Sequence, residues 1–465
     1  MKALVDPEHI LADGLTAIRA QFQVPAGFSD EVVADAERAA ARKPDQHVDR
    51  TDLPFVTLDP ASSTDLDQAF CLSRDGGTLL LHYAIADVGW FVDDGSALDL
   101  EAWRRGESLY LPDGKASLYP PLLSEGAASL LPSGPRAAVI FSVRLDETGE
   151  ASLESVERAL IHSRAKLAYE LVTPDRLPPA FEEFAARVEA AELRRGAARV
   201  DPPEQEVAAV DGGFELRFRD RLVSEARNAA LSLAANLAVA ATLMDHHTGL
   251  FRVMAGPNKR MIRRLRLTAR AFALDWPEGQ SLEEFQRSLD PARPRDAAMM
   301  MAVRRAGEGA GYTPYRDGVV PWHSAMAATY VHATAPLRRL ADRYVVEAAL
   351  AVANAKPVSS SVRAAFEKLP DVMARADDTA ANIDRAVIDL AESVMLKDRA
   401  GQRFGAVVTD VDERGARIQL CDFPIVSRVA TDGLSPGDAI KVVLTEVDPR
   451  RRLIRFAAVD GGVPE

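Results

Sequence analysis

Thr57-Leu58-Asp59-Pro60-Ala61-Ser62-Ser63-Thr64-Asp65-Leu66-Asp67-Gln68-Ala69 is the stretch on which the reading of this chain turns. Three carboxylates fall within nine residues, and Pro60 and the Ser/Thr run between them cannot extend a strand or helix. A strand predicted over Leu53 to Leu58 runs straight into them. Like charges placed together repel and raise each other's pKa, and a divalent cation removes that penalty. Hard cations such as Mg²⁺ take oxygen ligands and keep waters that a phosphate can displace. The cluster therefore reads as a Mg²⁺ site for phosphoryl chemistry. The alternative is an Asp/Ser loop whose side chains cap and turn the backbone.

Composition sets bounds around that stretch. The chain has 465 residues, which suggests about three domains, and 47% hydrophobic residues, enough for a full core. A net charge of −13 argues against a protein that coats duplex nucleic acid. It leaves room for an enzyme that threads one strand through an internal channel, where only local charge matters. Cys71 and Cys421 lie far apart and follow no metal-ligand spacing, so a reducing cytoplasm is the simplest setting. No basic start followed by an apolar core marks a signal peptide. The longest apolar run, Ala229 to Met244, is too short to span a bilayer and reads as a buried helix.

Working outward gives an α+β chain in three parts. Residues 1 to about 48 are predicted helical, from Pro7 to Phe22 and from Ser29 to Arg42, with Ser29-Asp30 offering an N-cap and Ala26-Gly27 a break. This reads as a short N-terminal arm or partial helix-turn-helix. Residues about 49 to 400 begin strand-rich (Phe55-Leu58, Ala69-Leu72, Thr78-Ile85, Val139-Leu145). Helices dominate from about residue 180, with Val362 to Arg399 broken near Pro370. Residues about 401 to 465 hold short strands at Phe404-Val411, Ala416-Leu420, Ala439-Val447 and Leu453-Val459, with turns at Glu413-Arg414-Gly415 and Asp448-Pro449-Arg450. Leu434-Ser435-Pro436-Gly437-Asp438 before a strand resembles the RNA-binding OB repeat of a large bacterial ribosomal protein. Five-stranded barrels of that kind bind single strands.

Further motifs recur in order: Ala84-Ile85-Ala86-Asp87-Val88, Ser108-Leu109-Tyr110-Leu111-Pro112, Leu123-Ser124 through Ser129-Leu130, Arg252-Val253 with Gly256-Pro257, Tyr330-Val331-His332-Ala333-Thr334-Ala335-Pro336-Leu337-Arg338-Arg339, and Asp384-Arg385 ahead of Leu396-Lys397-Asp398. With the Asp cluster, they resemble the signature of the ribonuclease II / ribonuclease R (RNB) family over about residues 45 to 460. The resemblance implies a catalytic domain of mixed β-sheet with surrounding helices, followed by an OB barrel. It implies a processive, Mg²⁺-dependent 3′→5′ exoribonuclease that releases nucleoside 5′-monophosphates from single-stranded RNA, using one or two ions for which Mn²⁺ can substitute. A cytoplasmic monomer without a membrane is expected. The family's cold-shock barrels have no counterpart in residues 1–48, which are too short and too helical.

The same resemblance assigns residues. Asp59, Asp65 and Asp67 fall on three of the signature's four acidic positions. The fourth is Gln68, which departs from it but still offers an amide oxygen to a metal or to its water. Asp67 is the residue whose loss stops turnover, and Arg338 clamps phosphate, as a guanidinium can grip two oxygens. Asp384 stands where the family has a catalytic Glu, one methylene shorter, with a long-range pair to Arg338 as an alternative role. Tyr110 stacks on the terminal nucleotide, and Arg338, Arg339, Arg385 and Arg417 contact RNA; Arg417 stands where OB repeats often carry an aromatic. Tyr312, Tyr315, Tyr330, His323 and His332 read as packing and hydrogen-bond partners. The acid-free segment Arg252, Lys259, Arg260, Arg263, Arg264, Arg266, Arg270 reads either as an RNA guide or as a solvated helix face. Gln68 and Asp384 keep one rival open: an RNB-fold RNA-binding protein with weakened catalysis.

Overall fold

The computed structural model describes residues 2–4, 9–197, 204–210, 213–219, 222–290, 293–307, 309–412, 415–421, 423, 425–430 and 433–459. Glu413 and Arg414 of the expected turn lie outside them.

A seven-stranded sheet carries the residues that matter. Its order is Ala165–Ala168, Val56–Asp59, Gln68–Asp75, Thr78–Ala86, Arg136–Leu145, Ala151–Ile161, Val48–Asp49. The four pairings inside it are antiparallel, and the outermost pair on each side is parallel. The central strands carry runs such as Tyr83-Ala84-Ile85-Ala86 and Ala137-Ala138-Val139-Ile140-Phe141, all buried. Consecutive buried residues mean cover on both faces. The helices Phe181–Arg195, Val223–Asp245 and Leu340–Ala353 share the sheet's core. The apolar run expected as a buried helix is longer than its sequence suggested. Val223–Asp245 could cross a membrane by length and composition, but 61% of its most apolar window is buried inside the fold.

The long helix departs from expectation too. Ser360–Leu396 is one helix of 37 residues with Pro370 inside it. Proline there forfeits one backbone hydrogen bond and costs about 3 kcal/mol. Burial of Phe366, Leu369 and Met373 around it outweighs that loss, since each such side chain contributes about 1.5–3 kcal/mol. Farther along, Ile383, Val387 and Leu390 pack on Leu11, Leu15 and Ile18 of the helix Ile10–Gln21. The approach is close at Gly14, where a Cβ would lie 2.5 Å from a Leu390 methyl.

The N-terminal segment is thus not a free arm. Its second helix, Asp30–Ala40, is capped by Ser29 and buries Val32, Ala36 and Ala39 in the main core. The strand Lys2–Leu4 pairs antiparallel with Gly213–Arg219 of a hairpin that sequence reading left among helices.

The C-terminal strands run Val426–Val429, Gly415–Leu420, Arg403–Asp412, Ala439–Asp448, Leu453–Ala458, all antiparallel. Register shifts at Val408/Asp410 and Leu444/Glu446 bend them, and the two outer strands meet to nearly close an OB-type barrel. Its core takes in Leu396, the last residue of the long helix.

Glu392 ties three parts together. It is buried and accepts hydrogen bonds from Gln205 Nε2 (2.7 Å) and the Val426 N–H (3.1 Å). Burial pushes its carboxyl up to about 8. The folded state therefore holds a proton that the unfolded chain releases near its ordinary 4.5. This contribution to stability is full below that value and is lost as pH rises through about 8. Melting temperature is expected to fall more steeply between pH 5 and pH 8 in the parent than in Glu392→Gln. Parallel curves would refute the assignment.

Candidate active site

The strand Val56–Asp59 delivers Asp59 to the edge of the sheet, and the loop after it delivers Asp65 and Asp67. Backbone and hydroxyl groups fix that loop. Ser129 Oγ accepts from the Leu66 N–H at 2.9 Å and donates to the Thr64 carbonyl at 2.7 Å, while the Leu130 N–H donates to the Leu66 carbonyl.

Asp67 is 4% exposed. One oxygen accepts the Leu337 N–H at 2.7 Å, and the other lies 3.4 Å from Arg338 Nε. Residues 270 positions apart in sequence thus meet. Burial pushes the Asp67 carboxyl up to about 7, against the pull of Arg338. Asp59 is pushed up to about 6 by burial, again opposed by Arg338, with Asp65 adding to the rise. The Arg338 side chain remains 46% exposed, so its guanidinium is available to a ligand.

The turn that presents Arg338 is built by two buried polar residues that sequence reading missed. Asp342 takes the Thr334 and Ala335 N–H groups at 3.0 and 2.8 Å and binds Arg339 through one guanidinium edge, Nε at 2.9 Å and Nη2 at 2.7 Å. Asn236 Oδ1 accepts the Ala333 N–H at 3.0 Å. The Arg339/Asp342 spacing of three at a helix start was a legible signal; Asn236, on a distant helix, gave none. The Arg339 guanidinium binds Asp342 and so helps to hold the turn.

Gln68 is engaged by protein partners. Its Nε2 donates to the Thr334 carbonyl at 2.7 Å, and its Oε1 accepts from Tyr83 Oη and, at 3.2 Å, from Ser232 Oγ. Ser232 Oγ also lies 2.7 Å from Tyr83 Oη, so two hydroxyl protons serve three contacts. Gln68 braces the Arg338 turn against the sheet through its Nε2, and Tyr83 engages its oxygen. Asp65 is also engaged: Lys115 Nζ lies 3.0 Å from Oδ1, and Tyr110 Oη donates to Oδ2 at 3.3 Å.

Among the described residues, no three His, Cys, Asp or Glu side chains converge as a ready-made metal site. Asp59 and Asp67 still fit a hard cation. Asp67 is buried and Asp59 partly so, both have raised pKa values, and among the described residues no hydrogen bond contributes to holding Asp59 ionised. A cation would supply the missing stabilisation of the charged forms.

Tyr110 sits on the hairpin Leu109–Leu111 / Gly114–Ala116 and is half exposed. Arg19 of the N-terminal helix grips Asp113 and the Gly114 carbonyl of this hairpin. Tyr110 opens onto a cavity of about 920 Å³ whose walls also carry Asp384, Arg385 and Arg417. Asp384 belongs to this wall, whereas the carboxylates acting on Arg338 are Asp67 and Asp59.

The aromatic–histidine group packs as expected, with Tyr312 Oη 2.8 Å from His332 Nδ1 and His332 held neutral by burial and nearby arginines. The basic segment divides. Arg252 pairs with Asp377 and lies over Tyr312, and Arg266 lies over Trp276 and donates to carbonyls. Lys259, Arg260, Arg263, Arg264 and Arg270 lie on the exposed face of the helix Lys259–Ala271.

The model of the RNB domain matches residues 47–353, and that of the RNase II-type exonuclease C-terminal S1 domain matches residues 402–459. The chain belongs to the RNB family of exoribonucleases. Ribonuclease R of Aquifex aeolicus is 24% identical over 95% of this chain and 69% of its own length. Ribonuclease R of Mycoplasma pneumoniae is 29% identical over 63% of this chain and 44% of its own, so the RNB chain here spans less than half of that relative. Among solved structures, Mycoplasma genitalium RNase R in complex with ribose-methylated single-stranded RNA superposes with a TM-score of 0.86 at 20% identity, over 97% of this chain and 78% of that one. Yeast Ssd1, a pseudonuclease, shares the fold with a TM-score of 0.67 at 17% identity, over 95% and 59%. The RNB fold therefore houses both kinds of protein, and turnover must be argued from the site.

Proposed function

We propose that this RNB protein is a Mg²⁺-dependent 3′→5′ exoribonuclease that shortens single-stranded RNA processively to nucleoside 5′-monophosphates. The observation that carries the reading is the meeting of Asp67, fixed by the Leu337 N–H, with a half-exposed Arg338. A pseudonuclease has no need to keep an arginine beside a buried, proton-hungry carboxylate.

Asp59 and Asp67 would hold a divalent cation, which would supply a water of lowered pKa for hydrolysis of the phosphodiester. Arg338 holds the phosphate oxygens and offsets charge as it develops on them. Tyr110 stacks on the terminal base, which tolerates any sequence. Arg385 and Arg417 meet the strand behind it, on the wall of the large cavity. The division of labour follows chain order: residues 1–48 buttress, 49–400 catalyse, and the barrel of 401–465 holds RNA. A monomer suffices for this arrangement.

The rival is a catalytically weakened RNA-binding protein, favoured by the engagement of Gln68 and Asp65 with protein partners. End-labelled RNA separates the two. With a 5′ label, single-stranded RNA is expected to disappear from its 3′ end with release of 5′-monophosphates and without a ladder of released intermediates, and EDTA should stop it. Internal cuts, or full activity in EDTA, would overturn the proposal. Binding without any products would establish the rival.

A further inference from the structure

Lys115 is the one group at the site whose charge opposes its apparent purpose. Its ammonium lies 3.0 Å from Asp65 Oδ1 and 3.1 Å from Glu125 Oε1. Glu125 in turn accepts from Thr64 Oγ1 at 2.8 Å, within the loop that carries the aspartates. The lysine stands on the Gly114–Ala116 strand of the Tyr110 hairpin, with a side chain 23% exposed. It is held between two carboxylates, not extended into solvent.

The charges around the loop then balance in a particular way. Four carboxylates, Asp59, Asp65, Asp67 and Glu125, face Arg338 and Lys115, while Lys166, bonded to the Ala61 carbonyl, also acts on Asp59. One negative charge is in excess on each side: Arg338 offsets one of Asp59 and Asp67, and Lys115 offsets one of Asp65 and Glu125. At Asp65 the position beside the carboxylate is already filled by an ammonium. Gln68, whose oxygen accepts from Tyr83, adds no charge there.

We propose that Lys115 is a built-in cation that takes the place of a second metal ion at Asp65, so that the free enzyme binds a single divalent cation. The inference rests on the metal reading given under the proposed function. Lys115 is a positioning residue: it holds Asp65 and, through it, the hydroxyl of Tyr110. Its charge also repels a further cation, since unit charges a few ångströms apart interact strongly near a protein surface.

Mn²⁺ binding without RNA, followed by the electron paramagnetic resonance of the free ion, tests this without relying on activity. The parent is expected to bind one Mn²⁺. Lys115→Met, which keeps the length of the side chain and removes its charge, should bind a second ion or hold the first about tenfold or more tightly. Lys115→Arg should behave as the parent, and adding Asp65→Asn to Lys115→Met should erase the gain. Two ions on the parent, or identical titrations for the parent and Lys115→Met, would overturn the role of Lys115 and leave the nuclease reading intact. No Mn²⁺ on any variant would overturn both.

Discussion

Asp67→Asn is expected to abolish RNA hydrolysis while RNA binding stays at the parent's level. The amide keeps an oxygen for the Leu337 N–H, which Asp67 now accepts at 2.7 Å, so the loop and its turn stay in place. What disappears is the negative charge that faces Arg338 and, in the proposed reaction, the cation. The loss in single-turnover rate should be on the order of 10²–10³-fold at least, the scale seen when one preorganised electrostatic group is removed. Arg338→Ala should raise the barrier by about 2–4 kcal/mol, roughly a 30- to 900-fold slowing. Filter binding and rapid-quench kinetics on the same oligomer separate the two effects. Parent-like rates in both variants would show that the chemistry lies elsewhere.

The second large effect concerns stability. Asp342→Ala is expected to destabilise the protein by about 3–5 kcal/mol, as breaking a buried ion pair on one side leaves the other charge uncompensated. Asp342 is fully buried and satisfies two backbone N–H groups as well as the Arg339 guanidinium. Removing it orphans all three. The urea midpoint should drop at unchanged slope. Because Thr334 and Ala335 lead into Arg338, the residual folded enzyme should also lose kcat more than it loses RNA affinity. A shift below about 1 kcal/mol, the worth of an ordinary hydrogen bond, would mean that Arg339 finds another acceptor.

What could be read in the sequence was local chemistry. Asp59, Asp65 and Asp67 declared themselves because proline and small polar residues separate them at the end of an apolar strand. Ser29 declared the helix it caps. The barrel's strands were visible in their alternation, although Val426–Val429, only four residues long, was not picked out. What could not be read was partnership across the chain. Nothing in the sequence singled out Lys115, which only the hairpin brings onto Asp65, and only the fold shows Tyr83 and Thr334 engaging the Gln68 amide. Pro370 misled for a related reason: its cost is local, while the burial that outweighs it comes from other elements of the core, such as Leu340–Ala353 and Ala97–Arg105. The hairpin Glu204–Val210 / Gly213–Arg219 was missed in the same way, because the strand that completes its sheet is Lys2–Leu4.

The seating of Ile10–Gln21 against the long helix has a consequence for how the protein is made. The first helix to leave the ribosome buries Leu11, Leu15 and Ile18 on residues 383–390, which are synthesised about 370 positions later. At about 5–20 residues per second, that apolar face waits roughly 20–70 s for its cover. The strand Lys2–Leu4 likewise waits for residues 214–216. During that interval the nascent chain carries an exposed apolar stripe on this helix, so Ile10–Gln21 is where a chaperone would be needed and where a product stalled before residue 383 would aggregate.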